Sequence, residues 1–335
     1  MIDRDKHSEN PEGYYECGIR ELDSGNIKKA IQAFEKAIKV NPGDPRPYSN
    51  LGIAYELDKD YKKARAAYEK AIEINPANPS TLNNLAGLSL LEGHPYEAFS
   101  LYGSAIASDP FYVEPYLEIA RFYIEERELS RAEQFVRQVL NIEPENAEAL
   151  NFLGVITNLT DRSKEAVEHF QGVLKKNANQ PSVLSNLGTA LRSIGDMRRA
   201  IIAFEKAGEL NPDNITIMNN LGVLYRETGQ LDKAEGLFKL AIELYPENPF
   251  PYYNISEHYI AKDEYARALE NLKLYISLVP LDMDNLFKTC GIARMANRLD
   301  DVIGEMQSFI DEAEPSDPRV VEVKKWMDMT GKSRI

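Results

Sequence analysis

The sequence predicts an all-α solenoid, a chain of helix pairs stacked one on the next. Three observations predict it. The chain aligns on itself every 34 residues through eight copies from Pro11 to Asp282, without insertion or deletion. Within each copy the apolar residues recur at helical rather than strand spacing. One small and one large residue recur at fixed places: position 20 of each copy is Ala (Ala30, Ala64, Ala98, Ala132, Ala166, Ala200, Ala234, Ala268), and position 24 is large, from Phe34 through Tyr102 and Val136 to Leu272.

Each copy reads as two amphipathic helices. Positions 4, 7, 8 and 11 put apolar side chains on one face of a first helix, and positions 20, 24 and 27 do so for a second. Position 7 is apolar from Cys17 to Ile255, and position 8 is Gly, Ala or Ser from Gly18 to Ser256, small enough for two helices to approach closely. Gly25, Gly93, Gly195 and Gly229 stand at position 15, where a first helix needs a left-handed residue to stop. A proline at position 32 in seven copies, from Pro42 to Pro280 with Ala178 the exception, ends the second helix because it lacks an N–H. Asp44, Asn78, Asn146, Asn214, Asn248 and Asp282 at position 34 are placed to cap the next first helix, and Pro45, Pro79 and Pro249 follow where a missing donor costs nothing.

These signature positions resemble the tetratricopeptide repeat over more than four fifths of the chain. The resemblance implies a right-handed superhelix whose concave face is lined by first helices. The expected organisation is a polar extension over 1–10 and eight repeats over 11–44, 45–78, 79–112, 113–146, 147–180, 181–214, 215–248 and 249–282. A degenerate ninth pair follows over 283–316, with Val302 in place of Ala, and a capping helix over 317–331 carries Val320, Val323 and Trp326.

Composition narrows the function. The net charge is -14, with 39 basic against 53 acidic residues, which opposes nucleic acid and anionic lipid as partners. Met1 to Gly13 holds no apolar signal core and no run of about 18 apolar residues occurs, so the expectation is a soluble cytoplasmic protein without membrane insertion. Cys17 and Cys290 are far apart and read as reduced core thiols, and the four histidines lack ligand spacing, so no metal or other cofactor is expected. Phosphate-loop, dinucleotide, nucleophile-elbow and zinc-protease motifs are all missing, and the expectation is a protein that is not an enzyme.

The remaining chemistry lies on the stripe opposite the apolar face of the first helices, positions 2, 5, 6, 9, 12 and 13. Position 6 carries Asn50, Asn84, Asn186, Asn220 and Asn254, and position 5 carries Asn83, Asn151 and Asn219. An amide both donates and accepts, so such a ladder can pair with the main chain of an extended peptide whatever its side chains. The pattern resembles the asparagine ladder in the superhelix of O-GlcNAc transferases, interrupted here by Glu16, Glu118 and Phe152, and bonding of these amides within the repeats is the competing reading. The carboxylate-clamp domains of chaperone adaptors need Lys at position 5, which is absent here.

Charge on the stripe is uneven: repeats one to four hold seven acids (Glu12, Glu16, Asp23, Glu56, Glu114, Glu118, Glu125) against Arg46 and Arg121. Repeats five to eight hold Glu148, Glu227 and Glu257 against Arg192 and Arg226, with Phe250 and Tyr253 adding aromatic surface. The predicted peptide-binding residues are therefore Asn186, Asn220, Asn254, Asn151, Asn219, Arg192, Arg226, Tyr253, Phe250, Asn84 and Asn50. The expected function is a scaffold for an extended segment of a partner protein. A self-assembling homo-oligomer and an adaptor subunit of an enzyme, secretion or envelope complex are the alternatives.

Overall fold

The computed structural model describes residues 10–280, 282–314 and 316–331; the polar extension expected over 1–10 lies, except for Asn10, outside them. Among the described residues the secondary structure is nineteen α-helices and one 3₁₀ turn, with no strand. The chain divides into two compact units, 1–160 and 161–335, the boundary falling inside the fifth copy.

The first unit holds the pairs α1 (Pro11–Asp23) and α2 (Ile27–Val40), α3 (Pro45–Leu57) and α4 (Tyr61–Ile74), α5 (Pro79–Leu91) and α6 (Pro95–Ser108), α7 (Glu114–Glu125) and α8 (Leu129–Ile142), then α9 (Ala147–Leu159). The second unit opens with α10 (Ser163–Lys176). The pairs α11 (Pro181–Ser193) and α12 (Met197–Leu210), α13 (Ile215–Glu227) and α14 (Leu231–Leu244), and α15 (Pro249–Ala261) and α16 (Tyr265–Leu278) follow. Next come α17 (Met283–Met295), the 3₁₀ turn Leu299–Val302 running into α18 (Ile303–Glu312), and α19 (Pro318–Met329).

Local chemistry sets these bounds. All six position-34 side chains accept a backbone N–H from the first turn of the helix they precede, Asn78 from Thr81 at 2.9 Å and Asn214 from Ile217 at 3.0 Å among them. Asn10 and Asp317 cap α1 and α19 in the same way. Each such cap is worth about 1 kcal/mol over alanine.

Position 15 is left-handed in all nine pairs. Gly25, Gly93, Gly195 and Gly229 have φ of 75° to 81°, and Lys59, Arg127, Asp161, Asp263 and Asn297 adopt 57° to 62°. The glycine pattern therefore foretold four of nine such turns. The other five side chains accept a Cβ clash of about 1–2 kcal/mol each because the stacked helices on either side dictate the turn.

The core is built where the two helices of a pair cross. A Cβ added at Gly18, Gly52, Gly188 or Gly222 would lie 2.4–2.6 Å from the ring of Phe34, Tyr68, Phe204 or Phe238, respectively. Position 8 is thus small because position 24 fills its space. Where position 8 carries a side chain, the partner is generally smaller or more pliable: Ala120 faces Val136, Ser256 faces Leu272 and Cys290 faces Met306, all fully or almost fully buried. Cys290 lies in the core and burial pushes its thiol up to about 12, but Cys17, expected in the core, is only half-buried on α1.

Within each unit every helix packs on its chain neighbours, and the first helices also touch the next first helix, as in α5 with α7 and α11 with α13. First helices therefore line the closer-packed side of each unit and second helices the more open side. The ninth pair keeps the register despite its sequence: Val302 is fully buried at the position of the repeated Ala, in a 3₁₀ turn that makes room for its extra methyl groups. α19 packs on α17 and α18, with Trp326 stacked on Phe287 at 5.4 Å between ring centroids.

Candidate functional site on the first helices

The polar stripe of the first helices is an interlocked surface. Position 6 of one repeat reaches back to position 5 of the repeat before, 35 residues earlier. Asn50 Nδ2 donates to the Tyr15 hydroxyl at 3.0 Å, Asn254 Nδ2 to Asn219 Oδ1 at 3.4 Å, and Lys288 Nζ to the Tyr253 hydroxyl at 3.4 Å. The amides thus do bond within the protein, but between repeats rather than along one helix. A primary amide offers two donors and an acceptor with two lone pairs, so one bond to the neighbouring repeat leaves capacity on the open side.

In the second unit Asn186, Asn219, Asn220 and Asn254 are all half-buried on α11, α13 and α15. Asn220 makes no side-chain hydrogen bond to another described residue, and in the first unit the same holds for Asn84. Asn151 lies half-buried on α9. Beside Asn186 a cleft of about 460 Å³ opens between α11 and α13, lined by Pro181, Ser182, Ser185, Asn186, Asn211, Asn214, Thr216 and Ile217. Its walls are hydroxyl and amide groups with one proline and one isoleucine. Such a lining suits main-chain amides better than a charged side chain.

Two of the three cations on this stripe are ion-paired with its acids and the third is tied to backbone. Arg192 Nε donates to Glu227 at 2.8 Å, Arg226 donates to the Asn254 carbonyl at 3.4 Å, and Lys288 pairs with Glu257 while lying 4.8 Å over the Tyr253 ring. Arg192 and Arg226 consequently tie first helices together as well as facing outward. Lys288 was legible only as position 6 of the degenerate ninth copy. Phe250 is 63% exposed at the end of the stripe, and Tyr253 is half-buried against Tyr275.

In the first unit the acids are less evenly matched. Arg46 bridges Glu12 and Asp44, and Arg121 bridges Glu118 and Glu148 at 3.1 and 2.8 Å. Glu56 receives the hydroxyl of the buried Tyr68, and burial nevertheless holds its carboxyl above the usual range. Burial raises Glu118 also, with Arg121 working against it. Among the described residues no three His, Cys, Asp or Glu side chains converge as metal ligands, and no helix is long and apolar enough to cross a membrane.

Paired helices of fixed length, crossing over a small residue and a large one, with polar side chains along the first helices, are the architecture of a helical repeat. The tetratricopeptide repeat models match residues 15–79, 89–156 and 185–249. The chain belongs to the tetratricopeptide repeat family, whose repeats generally mediate contact between proteins. No curated protein matches it in sequence.

Solved structures with the same fold include a chain of the Cut9–Hcn1 hetero-tetramer of the APC/C, with a TM-score of 0.64, 20% identity and 74% of this chain covered. This chain spans about half (49%) of that one. Pseudomonas aeruginosa PilF gives a TM-score of 0.57 at 22% identity, covering 64% of this chain and 97% of its own. A tetratricopeptide repeat protein from Parabacteroides merdae gives 0.54 at 18% identity, covering 70% and 93%.

Proposed function

We propose that this protein is a non-catalytic scaffold that holds an extended segment of a partner protein along the first helices of its second unit. The observation that carries this reading is the juxtaposition of the amide stripe on α11, α13 and α15 with the hydroxyl- and amide-lined cleft between α11 and α13. With Arg192 and Lys288 ion-paired to Glu227 and Glu257, hydrogen bonding is the main source of recognition there. Exposed Phe250 supplies an apolar anchor at one end. Amide contacts to main chain bind a segment with little regard to its side chains.

The test is site-directed photo-crosslinking in the source cell. A photoreactive side chain at Thr216, in the cleft, should capture a partner, and one at Lys239, on the outer side of α14, should not. Replacing Asn186, Asn220 and Asn254 together by alanine should weaken the captured partner about tenfold or more, since each lost hydrogen bond is worth roughly 0.5–1.5 kcal/mol. Equal capture at Lys239, or an unchanged affinity in the triple variant with helicity intact, would move the binding surface elsewhere.

A further inference from the structure

Of the gaps in the ladder that joins successive first helices of the first unit, the one at repeat four leaves a buried acceptor without a partner. In repeats two, eight and nine the position-6 side chain is a donor, Asn50, Asn254 or Lys288, and the position-5 group 35 residues earlier accepts from it. In repeat four position 6 is Glu118. An ionised carboxylate has no proton to give, and Asn83, 35 residues earlier, is left with a buried Oδ1 that has no partner.

A second group is orphaned in the same repeat as Asn83. In repeat two the hydroxyl of Tyr68 is bound by Glu56, in the last turn of α3. Repeat three repeats the tyrosine as Tyr102, fully buried, but places Leu90 where Glu56 stood. The Tyr102 hydroxyl is buried without a hydrogen-bond partner, and the charges that act on it are those of Glu118 and Arg121. Leu90, Glu118 and Arg121 line one cleft of about 330 Å³ with Gly93, Pro95, Phe122 and Glu125. Apolar walls from Leu90, Pro95 and Phe122 lead to carboxylates. Glu118 and neighbouring Glu148 share the guanidinium of Arg121, and Glu125 lines the same cleft.

A buried hydroxyl and a buried carbonyl oxygen of repeat three lack partners, and the part-buried carboxylate of Glu118, which acts on that hydroxyl, has Arg121 as its one ion-pair partner among the described residues. Leaving buried polar groups unpaired costs roughly 1–3 kcal/mol each, so a ligand that supplies their missing partners is favoured there. The chemistry required is a cation with several N–H groups on an apolar stem. We infer that the cleft between α5 and α7 receives an arginine or lysine side chain of the bound segment, its head on Glu118, Asn83 and the Tyr102 hydroxyl and its stem along Leu90 and Phe122. This deepens the scaffold reading and rests on it: the second unit holds main chain, and the first unit selects for a basic residue.

The experiment is selection of random peptides displayed on phage against the full chain. The wild type should enrich peptides with arginine or lysine at one fixed position, and replacing that residue by uncharged citrulline in a synthetic copy should weaken binding about tenfold or more. Glu118→Gln should abolish the preference, because a glutamine amide closes the ladder onto Asn83 as Asn254 does onto Asn219. Glu243→Gln, an equal change of charge on the outer side of α14, should not. Tyr102→Phe removes only the orphaned hydroxyl and should not lower the unfolding midpoint, and should raise it, while weakening the selected peptide severalfold. Peptides enriched without a fixed basic residue, or the same preference in Glu118→Gln, overturn the cation site while leaving the scaffold intact. Failure to enrich any peptide overturns both.

Discussion

Gly188→Ala isolates the contact that sets the spacing of the two helices in a repeat. The new Cβ would lie 2.6 Å from both Cδ2 and Cε2 of Phe204 and 3.0 Å from Cγ, distances that real Cβ atoms do not tolerate. The ring cannot retreat, because it is only 1% exposed and the helix that carries it is packed on both neighbours. Overpacking of this kind costs about 1–3 kcal/mol, against about 0.5–1 kcal/mol gained by replacing a glycine inside a helix. The net expectation is a loss of about 1–2 kcal/mol.

Phe204→Leu alone leaves a cavity and should also destabilise. The double change reproduces the small-with-aliphatic pairing of Ser256 with Leu272, so it should recover about 1 kcal/mol or more relative to the sum of the single changes. Gly236→Ala, in the same unit with open space around its Cβ, should raise stability by about 0.5–1 kcal/mol. Urea unfolding followed by circular dichroism measures all four. The reasoning is refuted if Gly188→Ala stabilises as Gly236→Ala does, or if the two single effects simply add.

Three further predictions come from the same framework. Lys59→Gly relieves a left-handed backbone at φ 61° and should raise the unfolding midpoint by about 0.5 kcal/mol in free energy, the clash relieved being partly offset by the freedom glycine adds to the unfolded chain; a loss would show that the Lys59 side chain holds the turn. Removing everything after residue 316 strips Val320, Val323 and Trp326 from α17 and α18, and should lower both melting temperature and solubility; equal behaviour in light scattering and calorimetry would show that α19 covers nothing essential. Glu235, bound by Lys239 at 2.7 Å and the Tyr259 hydroxyl at 3.1 Å, is held down at about 2, so its stabilisation is complete above the ordinary carboxylate range and is lost as pH falls from about 4.5 towards 2. Glu235→Gln should therefore lower the midpoint at neutral pH and converge with the wild type near pH 2, and a constant gap across that range would contradict it.

How much of this could be read in the residues differs between elements for a physical reason. Helix limits, the six capping side chains, the Ala at the crossing and the aromatic opposite the position-8 glycine depend on interactions within one copy, and the 34-residue period repeats them. The sequence by itself therefore determined the fold, the family and the polar face on which candidate residues lie. Packing between copies is another matter. Stacking brings position 6 against position 5 of the preceding repeat, an offset of 35 rather than 34, so the partners of Asn50, Asn254 and Lys288 follow from how one helix pair sits on the next. The left-handed turns at Lys59, Arg127, Asp161, Asp263 and Asn297 carry no glycine to announce them, because neighbouring pairs impose them. Glu118 read in the sequence as an interruption of a ladder. Only the tertiary structure decided that Asn83 Oδ1 and the Tyr102 hydroxyl are buried without partners, since burial and hydrogen-bond satisfaction are properties of the stacked helices and not of any single repeat.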